Sequence, residues 1–127
     1  MSEDARLEAL RRVPELLQFS DAGLRSLLMF FDEVLVPAGV AIAVEGRLCH
    51  EYVVVASGEL EICRKGRATR LGPGESYGWR AMEGRLRHDA TVVTMSPARV
   101  LVMGHAQFRA AEGLAPSSVR SVSSSAA

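Results

Sequence analysis

The most constraining feature of this chain is a change of hydrophobic period at Glu33. Beyond it, apolar residues recur every second position in short runs. Val34 and Val36 are followed by Val40, Ile42 and Val44, and Glu59-Leu60-Glu61-Ile62-Cys63 alternates again. Tyr52-Val53-Val54-Val55-Ala56 is almost continuously apolar, and Thr91 to Met95 and Val100 to Met103 close the series. A period of two belongs to half-buried strands. Between the runs stand Gly39, Gly46, Gly58, Gly66, Gly72, Gly74 and Gly78, at joints where tight turns demand backbone angles that only glycine takes freely. The pattern predicts a mainly β fold, either a jelly-roll sandwich or a small barrel.

The flanks read differently. Residues from Glu3 to about Val13 have helical spacing, and Pro14 ends that run. Ser20 suits the N-cap of a second helix, with Asp21 in its first turn and Leu24, Leu27, Leu28 and Phe31 on one face. His105 to Glu112 reads as a further short helix stopped by Gly113. The expected plan is a helical segment over 1–32, the roll over 33–104, a short helix over 105–113 and a disordered Ser/Ala-rich tail over 114–127.

Composition narrows the function. With 127 residues the chain makes one domain. Fifteen basic residues balance fifteen acidic ones, so no overall field draws nucleic acid or an anionic membrane, and any anion site must be local. Arg64-Lys65-Gly66-Arg67 with Arg70 forms a basic hairpin tip, but no aromatic or reading helix accompanies it. Cys49 and Cys63 give neither a disulfide framework nor metal spacing, and the acidic N-terminus is not a secretory signal. The expected setting is the cytoplasm. No nucleophile elbow or phosphate-loop fingerprint is present, so an enzyme is not expected.

Leu71-Gly72-Pro73-Gly74-Glu75-Ser76-Tyr77-Gly78-Trp79-Arg80-Ala81-Met82, followed by His88-Asp89-Ala90-Thr91-Val92, carries the most specific information. With Val36-Pro37-Ala38-Gly39, Val44-Glu45-Gly46 and Tyr52 to Leu60 before it, the order of motifs resembles the cyclic-nucleotide-binding domain. That domain occurs in catabolite-activator-type regulators, protein kinase A regulatory subunits and cyclic-nucleotide-gated channels. The resemblance runs from about Leu16 to Ala111 and implies a jelly-roll-like β-roll of about eight strands, in which residues 77–92 are the phosphate-binding cassette. Its candidate ligand-binding residues are Gly78, Trp79, Arg80, Ala81, Arg87, His88 and Ala90.

Two of these depart from what the resemblance implies. The position of Trp79 ordinarily holds a glutamate that accepts from the ribose 2′-hydroxyl, whereas an indole offers one donor and no acceptor. The position of His88 ordinarily holds an arginine that pairs bidentately with the cyclic phosphate. Imidazole is shorter, offers fewer donors and is mostly neutral above about pH 6.5. Losing a charged partner at a buried anion site costs a few kcal/mol, about tens to thousands in affinity.

The expectation is therefore a stand-alone, non-enzymatic regulatory or adaptor module that binds cyclic nucleotide weakly if at all. It needs no cofactor and acts on an unidentified protein partner or a second copy of itself. In that reading Trp79 fills the nucleotide's space or anchors a partner. The alternative is a true sensor of cyclic AMP, cyclic GMP or another anion, with Arg87 turned inward and Arg80 beside it. A metal-binding cupin is similar in strand content, but His50, His88 and His105 stand apart in sequence with no ligand spacing. The larger relatives' C-terminal DNA-reading domain and full C-terminal helix are not expected after Glu112.

Overall fold

The computed structural model describes residues 1–114. The N-terminal segment folds as α1 (Glu3–Arg11), a single turn of tighter helix (Pro14–Leu16) and α2 (Asp21–Leu28). Ser20 caps α2 by accepting from the Gly23 N–H at 3.0 Å, as its position predicts. Leu24, Leu27, Leu28 and Phe31 are all buried, although α2 itself ends before Phe31.

Eight strands follow: β1 (Asp32–Val36), β2 (Ala41–Ala43), β3 (Glu51–Ser57), β4 (Leu60–Arg64), β5 (Arg67–Leu71), β6 (Ser76–Tyr77), β7 (Thr91–Thr94) and β8 (Ala98–Gly104). They form two four-stranded sheets, ordered β1-β8-β3-β6 and β2-β7-β4-β5, with every pairing antiparallel. Two helices complete the described chain: α3 (Trp79–Gly84), inserted between β6 and β7, and α4 (His105–Glu112), after β8.

Side-chain alternation on β3 sorts the core into two. Tyr52 and Val54 face the helices, where they join Leu10, Leu27, Met82 and Phe108. Val53 and Val55 face the roll interior with Leu60, Ile62, Tyr77 and Val92. Because one sheet is covered on both faces, β3 reads as a continuous apolar run rather than an alternating one.

Local details differ from the sequence expectation in four places. On β1, Val36 is buried but Val34 is exposed. The first helix stops at Arg11, before Val13. On β2 the buried residue is Ala43, Ile42 is half-buried and Val40 is exposed, because the pairing with β7 slips by one residue between Ala41 and Ala43. Arg67 to Leu71, which has no apolar alternation, is nonetheless strand β5, an edge strand with four exposed residues before Leu71. The basic hairpin tip is where it was expected, with Lys65 and Gly66 both at positive φ as a two-residue turn requires.

Gly58 shows why one of the corner glycines is obligatory. At φ +95°, an added Cβ would sit 2.6 Å from the Pro97 carbonyl oxygen. The expected tail lies, apart from Leu114, outside the described residues.

Candidate functional site

The cassette begins on β6, whose pairing with β3 sets Val53 opposite Tyr77 and Val54 opposite Ser76. Strand alternation then sends the two side chains to opposite faces. Ser76 turns toward the helices, where its hydroxyl donates to the Glu15 carboxylate. Tyr52, fully buried on β3, donates to the same Glu15 oxygen at 2.7 Å. Burial, then the Glu15 charge, pushes the Tyr52 phenol well above its usual pKa. Tyr77 turns the other way, into the roll interior, and is 7% exposed.

Gly78 then turns the chain at φ +107°, with the Glu51 carbonyl only 2.8 Å from where a Cβ would stand. From this turn α3 starts, and Trp79 packs away from the roll. Its ring lies edge-on to Phe108 at 4.9 Å and to Tyr52 at 5.2 Å, in the helical half of the core. Ala81 packs there too, and Met82 is fully buried. Arg109 on α4 donates to the Met82 carbonyl at 2.7 Å, which pins α3 to the C-terminal helix. Arg80 stays exposed.

The returning arm leaves α3 through Arg85, whose φ of 53° reverses the chain. Residues 86–88 run antiparallel to residues 46–49, with Leu48 opposite Arg87. Arg87 is exposed and donates from Nη1 to the Gly46 carbonyl at 2.9 Å. His88 points to the roll and stacks on Tyr77, with 5.6 Å between ring centroids. Its Nδ1 is buried and has no hydrogen-bond partner. Burial outweighs the charges of Asp89 and Glu51 and holds the His88 pKa below its usual value.

Asp89 closes the circuit. It accepts from the Tyr77 hydroxyl at 3.0 Å and from Arg64 Nε at 3.0 Å. Burial pulls its carboxyl pKa up, but the hydrogen bonds from Arg64 and Tyr77 and the Arg64 charge together hold it down. Burial and the same carboxylate push the Tyr77 phenol up to about 12. Ala90 and Val92 follow, both fully buried.

Two spaces border this machinery. Inside the roll, a cavity of about 120 Å³ remains among Ala43, Val53, Tyr77 and His88, with Glu51 and His50 at its rim. Outside, a cleft of about 410 Å³ runs along α3, lined by Trp79, Arg80, Ala81, Arg87, Asp89 and Arg64 among others.

The sequence profile of the cyclic nucleotide-binding domain matches residues 33–111 of this sequence. This chain belongs to the cyclic nucleotide-binding domain family. Solved structures share its fold. The regulatory domain of Toxoplasma gondii PKA, crystallised with cAMP, superposes at TM-score 0.77 and 22% identity, over 85% of this chain and 43% of that one. The catabolite activator protein of Thermus thermophilus gives TM-score 0.68 and 22% identity over 83% and 54%. A cyclic nucleotide-binding-like protein from Brucella abortus gives 0.71 and 19% over 87% and 97%. The chain spans roughly half of several of these proteins. No curated protein matches it in sequence.

Within this cyclic nucleotide-binding domain, Gly78, Trp79, Arg80, Ala81 and Arg87 line one cleft, whereas His88 and Ala90 face the roll. Trp79 does not fill the roll; it consolidates the helical core. Arg87 does not turn inward, while His88 does. Arg64 is not merely a solvated hairpin residue, since it lines the cleft and holds Asp89. Sequence reasoning passed over Tyr77, although its alternation with Ser76 just before the glycine turn at Gly78 was the available signal. His50 and His105, distant in sequence, bring their rings to 5.7 Å across the paired ends of β3 and β8. No cluster of three or more metal-ligating side chains occurs among the described residues, and no helix there is long and apolar enough to cross a membrane.

Proposed function

We propose that this domain is a regulatory module whose nucleotide pocket is closed by its own side chains, and that it works through protein contacts. The observation that carries this reading is the Tyr77–Asp89–Arg64 chain, with His88 stacked on Tyr77. Tyr77 supplies an aromatic ring inside the roll, and Asp89 supplies a negative charge to the returning arm of the cassette. Ligand pockets for drug-sized molecules are about 300–1,000 Å³; the cavity beside Tyr77 and His88 is only about 120 Å³, and the space of that size, the 410 Å³ cleft, lies along α3 with Asp89 in its lining. A cyclic nucleotide entering that cavity would have to displace Tyr77 and His88, which line it, and bring a phosphate toward the Glu51 carboxylate. His88, held neutral by burial, returns no positive charge to compensate.

The test is thermal unfolding with and without millimolar cyclic AMP or cyclic GMP, because a ligand of the folded state raises its stability by mass action. The melting temperature is expected to stay unchanged with both. A rise of several degrees with either would overturn the reading.

A second reading is favoured by one observation, the presence of Arg80 and Arg87 on the open 410 Å³ cleft. Here the domain senses an anion outside the roll. Inorganic phosphate should then raise the melting temperature in the native protein but not in Arg80→Ala/Arg87→Ala.

A further inference from the structure

The outer rim of the cassette carries charge that the rest of the fold does not neutralise. Arg47, Arg80, Arg85 and Arg87 are all exposed. Among the described residues none of them lies within ion-pair distance of a carboxylate, while Arg64, Arg70, Arg99 and Arg109 do. The acidic residues of the same two segments, 45–48 and 80–87, are Glu45 and Glu83, so the segments keep a positive surplus of two in a chain whose net charge is zero.

Pairing makes these segments one surface. The His88 N–H donates to the Arg47 carbonyl at 2.7 Å, and the Cys49 N–H donates to the Leu86 carbonyl at 3.1 Å. Leu48 and Leu86 therefore stand on neighbouring strands of the ribbon, and they are 48% and 55% exposed. Leu48 borders a depression of about 400 Å³ shared with Arg85, His50 and His105, and a shallower one of about 170 Å³ shared with Arg47. Leu86 borders the cleft that holds Arg80 and Arg87. Two half-exposed leucines are thus ringed by guanidinium groups without acidic partners.

We propose that this rim is a docking face for an acidic, leucine-bearing segment of a partner protein. The inference rests on the reading that the domain acts through protein contacts, and it names the surface and the chemistry of the partner. Buried apolar anchors with charge pairs around them are what concentrates binding energy at protein interfaces. Phosphate backbones would use the arginines but leave both leucines without a role. An anionic membrane would be met by an amphipathic helix with a broad apolar face to bury, whereas this surface is a short ribbon with two leucines beside the six-residue α3.

The test uses the full chain and fluorescence anisotropy with a labelled peptide of alternating glutamate and leucine. A peptide with serine replacing leucine, mixed-sequence duplex DNA and phosphatidylserine vesicles serve as comparators. The glutamate–leucine peptide is expected to bind saturably. Binding should weaken about tenfold or more with the serine peptide, with Arg85→Glu and with Leu48→Ser, the melting curves of both variants staying close to the parent's. Absence of saturable binding would overturn the proposal, as would equal affinity for the two peptides or no effect of either substitution. Tighter binding of DNA or vesicles would do the same. So would self-association of the chain in sedimentation that Arg85→Glu abolishes, since the occupant would then be a second copy. None of these outcomes changes the nucleotide titration, so failure here is separable from failure of the closed-pocket reading.

Discussion

Tyr77 and Asp89 meet across the cassette: the phenol hydroxyl donates to Oδ1 at 3.0 Å, tying the arm that enters the cassette to the arm that leaves it. Arg64, from the end of β4, holds the same carboxylate from the other side. Both arms of the cassette and the β4 hairpin are thus tied to one carboxylate.

Removing only the hydroxyl isolates this link. Tyr77→Phe should lower stability by about 1 kcal/mol, since the exposed side of Asp89 can recruit water. The stronger signature is in alkali. The folded-state pKa of Tyr77 is raised from 10 to about 12, first by burial and then by Asp89. The folded protein therefore holds this proton more tightly, and the stabilisation is complete below pH 10 and lost as pH rises toward 12. Urea midpoints across that range should fall less steeply in Tyr77→Phe, with Tyr52 supplying the remaining slope. Equal slopes in the two proteins would remove Tyr77 from this role.

His88 should govern the acid side. Burial lowers its folded-state pKa below 6.5 despite the opposing charges of Asp89 and Glu51. For a base lowered on folding, stability is full above pH 6.5 and declines as pH falls through the folded value. His88→Phe should flatten that decline. It should also gain about 1 kcal/mol at neutral pH, because the buried Nδ1 without a partner is gone. A variant that is less stable at neutral pH would show that His88 has a partner the geometry does not reveal.

Trp79→Ala separates packing from ligand chemistry. Half-buried between Phe108 and Tyr52, the indole should cost about 2–3 kcal/mol on removal, below the range for a fully buried ring. The variant should remain insensitive to cyclic AMP in a melting assay, since the ring does not occupy the roll. Acquired nucleotide binding would contradict that placement.

Glu15 joins the N-terminal helices to the cassette by accepting from both Tyr52 and Ser76. Glu15→Ala leaves the fully buried Tyr52 hydroxyl without its acceptor and should cost about 2–3 kcal/mol. In a Tyr52→Phe background the same substitution should cost much less. Additive effects in that double-mutant cycle would show that the two groups do not interact.

The sequence by itself determined what depends on neighbours along the chain. The cap at Ser20, the apolar runs of β3, β4, β7 and β8, the glycine corners and the short helix at His105 are local matters of propensity and spacing and were legible, whereas β5 and the burial on β1 and β2 were not. The departure from nucleotide chemistry at Trp79 and His88 was legible too. Only the tertiary structure decided which side chains the cassette brings together. Tyr77 on β6, Arg64 on β4 and Asp89 in the bend before β7 meet only when the two sheets face each other. The same holds for Leu48 beside Arg87, and for the rings of His50 and His105. Hydrogen bonds and ion pairs act over a few ångströms of space, and sequence spacing reports that distance only within a single helix or strand.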